Sequence, residues 1–319
     1  MPAVAAFAAK GLDARVIARH GQHCRVRTCS GNILTCLARS RLDPIVCGDR
    51  VRVTPSSTSE GVIEAVLPRS SLIYRCDRRR EKAIAANVSQ AIVVLATAPW
   101  PNSEFVDRCL VAVEYAGVKI VLVQNKIDLD SDRTLHTALL ARYGALGYRM
   151  CELCAHHDVD TLRTELRAET SLLIGQSGVG KSTIVNALLP DAQARTGEVS
   201  RSQTGRHTTT HAQLYRIGED ATLIDSPGMH QFGLQHIAPA DLAACFVEFR
   251  PLLGGCRFND CRHAGEPGCA LHDALRQGRI QRSRMRSYAR ILSSLLQSHS
   301  ASGRAEPARH RHQKDDEQP

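Results

Sequence analysis

Residues 175–182 read Gly175-Gln176-Ser177-Gly178-Val179-Gly180-Lys181-Ser182, with Thr183 next. They follow an apolar run at 171–174 and open an amphipathic stretch at 181–189. This is a complete GxxxxGKS phosphate loop in the strand, loop and helix setting that the motif requires. Its glycines let the backbone wrap closely around phosphate oxygens, while successive N–H groups and a helix N-terminus supply positive potential. Lys181 is placed to bridge the outer phosphates, and the Ser182 hydroxyl to ligate Mg²⁺.

Outward from the loop, apolar strands alternate with amphipathic helices. Strands are expected at 91–97, 119–123, 149–153, 171–174 and 221–224, and helices at 103–116, 134–146, 158–167 and 181–189. That alternation predicts an α/β layer built on a parallel sheet. The strand at 119–123 leads into Asn125-Lys126-Ile127-Asp128, an NKxD guanine-recognition motif. There Asp128 would accept hydrogen bonds from guanine N1–H and the 2-amino group, which adenine lacks. A carboxylate facing the wrong base discriminates by about 10⁴ or more. Lys126 would pack along the base, and Asn125 would tie two loops together. Cys154-Ala155-His156 occupies the place of an SAK-like supporting loop, with Cys154 standing where serine is usual.

Past the phosphate loop, Gly205-Arg206-His207-Thr208-Thr209-Thr210 reads as a first switch, in which Thr209, or else Thr208, would ligate Mg²⁺. Asp225-Ser226-Pro227-Gly228 matches the DxPG second switch, with Asp225 reaching Mg²⁺ through water and the Gly228 N–H sensing the γ-phosphate. The usual order of these motifs begins with the phosphate loop; here NKxD and the SAK-like loop precede it. The sheet can still form, because domain termini often lie close together and can be rejoined. The G domain is therefore circularly permuted, and its second switch runs directly into the C-terminal segment.

That segment carries Cys256, Cys261, His263 and Cys269 in the spacing CxxxxCxHxxxxxC, which reads as a closed, structural Zn²⁺ site. His272 is the substitute ligand if His263 is not used. Arg276, Arg279, Arg282, Arg284, Arg286 and Arg290 follow on an expected helix, as a solvated basic face or one turned to RNA. At the other end, short β-like runs at 14–18, 23–28, 33–38, 49–53 and 61–66 predict a five-stranded OB-type barrel. Nearly devoid of aromatics, it would meet RNA electrostatically, through Arg50, Arg52, Arg69, Arg75 and the run 78–80. The expected architecture has a disordered N-terminus at 1–11, the barrel at 12–74, the permuted GTPase domain at 75–239, a helical zinc-binding module at 240–297 and a disordered tail at 298–319.

The formal net charge of +9 over 319 residues favours a polyanionic partner, since each phosphate neutralised by Lys or Arg releases condensed counterions. Twelve cysteines are spread over every segment, and the start lacks a secretory pattern, so a cytoplasmic protein is expected. No run approaches the roughly 18 apolar residues of a membrane span.

Taken together, the barrel, the order NKID, GQSGVGKS, GRHTTT, DSPG and the cysteine cluster resemble the RsgA family, also called YjeQ or YloQ, over residues 12–297. The resemblance implies a monomeric GTPase that binds GTP and GDP, contacts the 30S ribosomal subunit and its 16S rRNA, and acts late in subunit maturation. Hydrolysis to GDP and phosphate would be stimulated by the subunit. It also implies that His207 positions the attacking water, because Met229 after the DxPG glycine cannot. Two other readings are a nonenzymatic, GTP-responsive RNA-binding scaffold and an ATP-dependent enzyme; NKID disfavours the latter.

Overall fold

The structure, a computed structural model, describes residues 11–39, 42–77, 80–129, 133–189, 212–226 and 233–302. His207, Thr208, Thr209, Gly228 and Met229 lie outside the described residues, as do the extreme N-terminus and the end of the tail.

Five strands form the N-terminal barrel: β1 (Leu12–His20), β2 (His23–Thr28), β3 (Ile33–Ala38), β4 (Arg50–Pro55) and β5 (Glu60–Val66). β1 pairs with β2, β2 with β3, β3 in parallel with β5, β5 with β4, and β4 back with β1, so the sheet closes on itself. Closure leaves no free edge, and the alternation of buried and exposed positions along β2, β3 and β4 is what a filled barrel demands. Val16, Val26, Cys36, Val51, Val53 and Ile63 fill it. Gly61 sits where the strands converge; a Cβ there would lie 2.9 Å from Val53 and 3.0 Å from the Thr54 carbonyl.

A hairpin of β6 (Leu72–Asp77) and β7 (Arg80–Ala86) then carries the chain across to the second sheet. Its charged sequence carries little apolar alternation, so it did not read as strand; its pairing and the burial of Ile73 and Ile84 hold it in place. The second sheet contains β8 (Gln90–Ala96), β9 (Lys119–Asn125), β10 (Arg149–Glu152), β11 (Thr170–Gly175), β12 (Gln213–Ile217) and β13 (Ala221–Asp225). Their order is β10-β9-β8-β11-β13-β12, parallel except for β12, which runs antiparallel to β13 and touches β1 at Gln213 and Ala18. β8 is buried along its whole length, as expected of a parallel strand covered on both faces.

The helices are α1 (Ser103–Tyr115), α2 (Thr134–Tyr143), α3 (Asp160–Leu166), α4 (Lys181–Leu188), α5 (Ala270–Arg276) and α6 (Arg282–Ser302). α3 and α4 cover one face of the sheet, where Ile92, Val94, Leu162 and Ile184 share a core. α1 covers the other face, and its core runs without a break into Phe246, Phe249, Tyr288, Ile291 and Leu295 of the C-terminal segment. α6 extends to Ser302, past the expected boundary at residue 297.

Two expectations about basic surfaces are corrected. Arg284 is fully buried, 2.6 Å from Asp107 and 2.6 Å from Glu248, and Arg290 lies 3.3 Å from Glu104. Of the expected arginine face only Arg279, Arg282 and Arg286 are both exposed and without an ion pair among the described residues. On the barrel, Arg69 is committed to the buried Asp49 at 2.7 Å, whereas Arg52 stays exposed in a surface pair with Asp13 at 3.3 Å. Their partners lie far away along the chain or across a strand pair, where a count of arginines does not reach.

Candidate functional site

The carboxyl ends of β8, β9, β11 and β13 converge on one edge of the sheet, the place where open α/β sheets bind ligands. β11 ends at Gly175, and the loop from Gln176 to Gly180 delivers Lys181 and Ser182 into the first turn of α4. The glycine pattern is a steric requirement. Gly178 and Gly180 have φ of 83° and 95°, and a Cβ on Gly180 would fall 2.3 Å from Asn125 Nδ2. Lys181 is buried, with Nζ donating to the carbonyls of Gly175 at 2.7 Å and Gln176 at 2.8 Å. Burial pushes it down from 10.5 to about 8, against the opposing pull of Asp225. Ser182 is exposed beside it, and the buried Asp225 ends β13 on the neighbouring strand, so the two oxygens expected to serve Mg²⁺ approach the loop from adjacent elements.

The NKID segment packs against this loop. Asn125 Nδ2 donates to the Val179 carbonyl at 2.9 Å, and its Oδ1 accepts from the Ala155 N–H at 3.1 Å. One buried amide thus ties the phosphate loop to the SAK-like loop. Lys126, at φ 60°, donates from Nζ to Ala98 O at 2.7 Å and Gly178 O at 2.8 Å. Ile127 and Asp128 begin a short 3-10 turn that leaves the Asp128 carboxylate at the surface of the site. Cys154, the residue that departs from serine, donates from Sγ to Asp128 Oδ1 at 3.0 Å, and this bond holds the Asp128 carboxyl below its ordinary value. The arrangement offers a carboxylate acceptor for a base, and a cradle for phosphates with a buried cation in it.

Sequence reasoning missed three supports. Thr97 Oγ1 donates to Lys126 O at 2.7 Å, the Ser226 hydroxyl donates to Leu173 O at 2.8 Å, and Gln176 Oε1 accepts from the Asn102 N–H at 3.4 Å. Asn102 caps α1, its side chain accepting from Glu104 N and Phe105 N. The link to Gln176 has no signal in local sequence.

In the C-terminal segment the side chains of Cys256, Cys261, His263 and Cys269 bring their donor atoms within 4.8 Å of one another. His263 Nδ1 lies 3.4, 3.6 and 3.4 Å from the sulfurs of Cys256, Cys261 and Cys269. Bond lengths of about 2.3 Å to sulfur and about 2.05 Å to nitrogen give a nitrogen-to-sulfur edge of about 3.6 Å in a tetrahedral zinc site, so the donor set fits such an ion. Burial, and hydrogen bonding of the protonated Cys261 thiol to Cys256 and Cys269, push Cys261 up to about 12, a cost that a central cation reverses. His272 instead places Nε2 3.3 Å from the His263 carbonyl, outside the cluster.

A parallel sheet whose phosphate loop is preceded in the chain by its base-reading loop defines the class: a circularly permuted P-loop GTPase carrying a closed barrel and a Cys₃His module. The family model for RsgA GTPase matches residues 66–235. The small ribosomal subunit biogenesis GTPase RsgA of Nitrosomonas europaea is 46% identical over 292 residues, covering 90% of this chain and 93% of that one. Its counterpart from Nitrosospira multiformis is 45% identical over 285 residues, covering 89% and 91%. Among solved structures, YjeQ from Thermotoga maritima matches with a TM-score of 0.70 and 30% identity over 92% of this chain and 99% of that one. YloQ, a circularly permuted GTPase, shares the fold with a TM-score of 0.69 at 23% identity over 92% and 97%. The chain belongs to the RsgA GTPase family.

Proposed function

We propose that this protein is a GTPase of small ribosomal subunit biogenesis, which binds the 30S subunit through its 16S rRNA in the GTP state and leaves after hydrolysis to GDP and phosphate. The observation that carries this reading is Asn125, which locks the base-reading segment to the phosphate loop while the exposed Asp128 carboxylate, steadied by Cys154, faces the place of a guanine. The printed function of the relatives supports the choice of partner. In this reading Asn125, Lys126, Ile127 and Asp128 hold the base, residues 175–183 hold the phosphates, and Ser182, Thr209 and Asp225 hold Mg²⁺, which neutralises charge developing on the phosphates. Lys181 stabilises the transferred phosphoryl group, the Gly228 N–H senses it and His207 orients water. The cysteine cluster holds one structural Zn²⁺ per chain. The protein acts as a cytoplasmic monomer; among the described residues no helix is long and apolar enough to cross a membrane.

For the rRNA contact we favour two arginines of the barrel. Arg25 and Arg27 project from β2, on the strand 2–3 face that OB barrels use for oligonucleotides, and make no ion pair among the described residues. Burial and the like charges of Arg216 and Arg25 push Arg27 down, a strain that a phosphate backbone relieves. Multiple-turnover GTP hydrolysis with and without purified 30S subunits tests the proposal. Stimulation by subunits is expected, with weaker stimulation and a shallower salt dependence for Arg25→Ala/Arg27→Ala. Nucleotide binding with no turnover under either condition would leave the scaffold reading in its place.

A further inference from the structure

The C-terminal segment is fastened to α1 by charge at three levels. Arg290 meets Glu104 in the first turn of α1 at 3.3 Å, Arg284 meets Asp107 in the middle at 2.6 Å, and Arg250 meets Glu114 in the last turn at 2.6 Å. Every acidic residue of α1 is used in this way. The central level differs from the others, because both of its side chains are 0% exposed. Asp107 also accepts from the Tyr143 hydroxyl at 3.1 Å and from the Ser287 hydroxyl, and Arg284 also binds Glu248 at 2.6 Å with its guanidinium 4.6 Å from the centre of the Phe246 ring.

Stability alone does not call for such a pair. Taking two charges out of water often costs as much as their attraction returns, and an apolar replacement of the same volume is commonly as stable. The surrounding core of Val106, Leu110 and Ile291 would hold α1 against α6 in several registers. Directional donors and acceptors buried at its centre select one of them. The N-terminal end of α1 is also tied to the nucleotide loops. Its cap residue Asn102 donates to Gln176 of the phosphate loop at 3.4 Å, and the preceding turn offers the Ala98 carbonyl to Lys126 at 2.7 Å.

We propose that Asp107 and Arg284 are positioning residues of this GTPase: the buried pair fixes α1 and α6 in one register, so that the nucleotide state at the phosphate loop reaches the C-terminal module through α1. This route is separate from the chain connection that follows Asp225, and it rests on the nucleotide-site reading above. By reciprocity, a partner bound to the module acts back on nucleotide affinity along the same helix.

The test is hydrogen exchange on the full chain with GDP and with a nonhydrolysable GTP analogue, comparing wild type with Asp107→Asn/Arg284→Gln. The double variant removes one charge of each sign at nearly constant volume and keeps polar groups in place. In wild type, both nucleotides should protect residues 175–182, while amides at 282–302 should exchange at rates differing by about fivefold or more between the two states. The double variant should keep the protection at 175–182 and a near-wild-type melting temperature, and lose the difference at 282–302. A double variant that retains the difference overturns the proposal, and so does a wild type that shows none. Absence of protection at 175–182 in wild type overturns the nucleotide site itself, and the proposal with it. Should the double variant unfold early, Ser287→Ala, which removes one hydrogen bond to Asp107, takes its place and should diminish the difference; an undiminished difference there also overturns the proposal.

Discussion

Lys181 meets its substrate from an unfavourable starting point. Burial has lowered it to about 8, so in the nucleotide-free protein it begins to lose its proton just above neutral pH. Phosphates placed against it favour the charged form, so above that pH binding must take up a proton. Affinity for GDP should therefore be flat below about pH 8 and fall by up to tenfold per unit above it. The chain's single tryptophan, Trp100, lies half-exposed two residues before the Asn102 cap of α1 and provides a fluorescence signal for the titration. A profile flat to about pH 10 would contradict this assignment. Asp128→Asn exchanges the acceptor that faces guanine N1–H for an amide and should move preference from guanosine to xanthosine nucleotides, with GTP selectivity falling by as much as about 10⁴. Unchanged competition between the two nucleotides would remove Asp128 from the site. Both residues were legible in the sequence because their motifs are contiguous. The Cys154 to Asp128 hydrogen bond was not, since it spans two loops that meet only once the sheet has formed.

Elements whose sequence states their own period were read correctly: the five barrel strands, α1, and α4 behind the phosphate loop. Those stabilised by distant partners were not. β12 is an edge strand of the second sheet, and the β6 and β7 hairpin is charged around its turn; each is defined by what it pairs with. The C-terminal segment shows the same limit, and with a consequence for stability. From sequence it is a module that should unfold alone when its metal is removed. The structure gives it a core continuous with that of α1, so Cys261→Ser should release the metal and loosen the loop around residues 256–269 while α6 stays docked. Metal content should fall from about one ion per chain to nearly none, with a loss on the order of 10 kcal/mol in metal-binding free energy and little change in helical circular dichroism. Wild-type protein purified without chelators and holding no metal would contradict this. Tyr288→Phe probes the same junction more gently, because the hydroxyl donates to Arg262 O at 2.8 Å and ties α6 to the metal loop. It should cost about 1 kcal/mol in denaturant unfolding.

Across the whole molecule, circular permutation preserves the sheet and changes what the switches are attached to. In this chain the strand carrying Asp225 is followed by the segment that enters the cysteine cluster, and α1 reaches the same segment from the side. Motif order made the permutation legible, short β-like runs the barrel, and ligand spacing the cysteine cluster. The identity of the basic surface was not legible, because Arg69 and Arg284 are counted as charges in the sequence and spent as buried ion pairs in the fold. The central claim is that nucleotide state controls attachment to the small ribosomal subunit, and equilibrium affinity for 30S subunits, measured with a nonhydrolysable GTP analogue and with GDP, tests it most directly. The account predicts tighter binding with the analogue, by about 5- to 150-fold, corresponding to a coupling of about 1–3 kcal/mol. Equal affinity in the two states would contradict it.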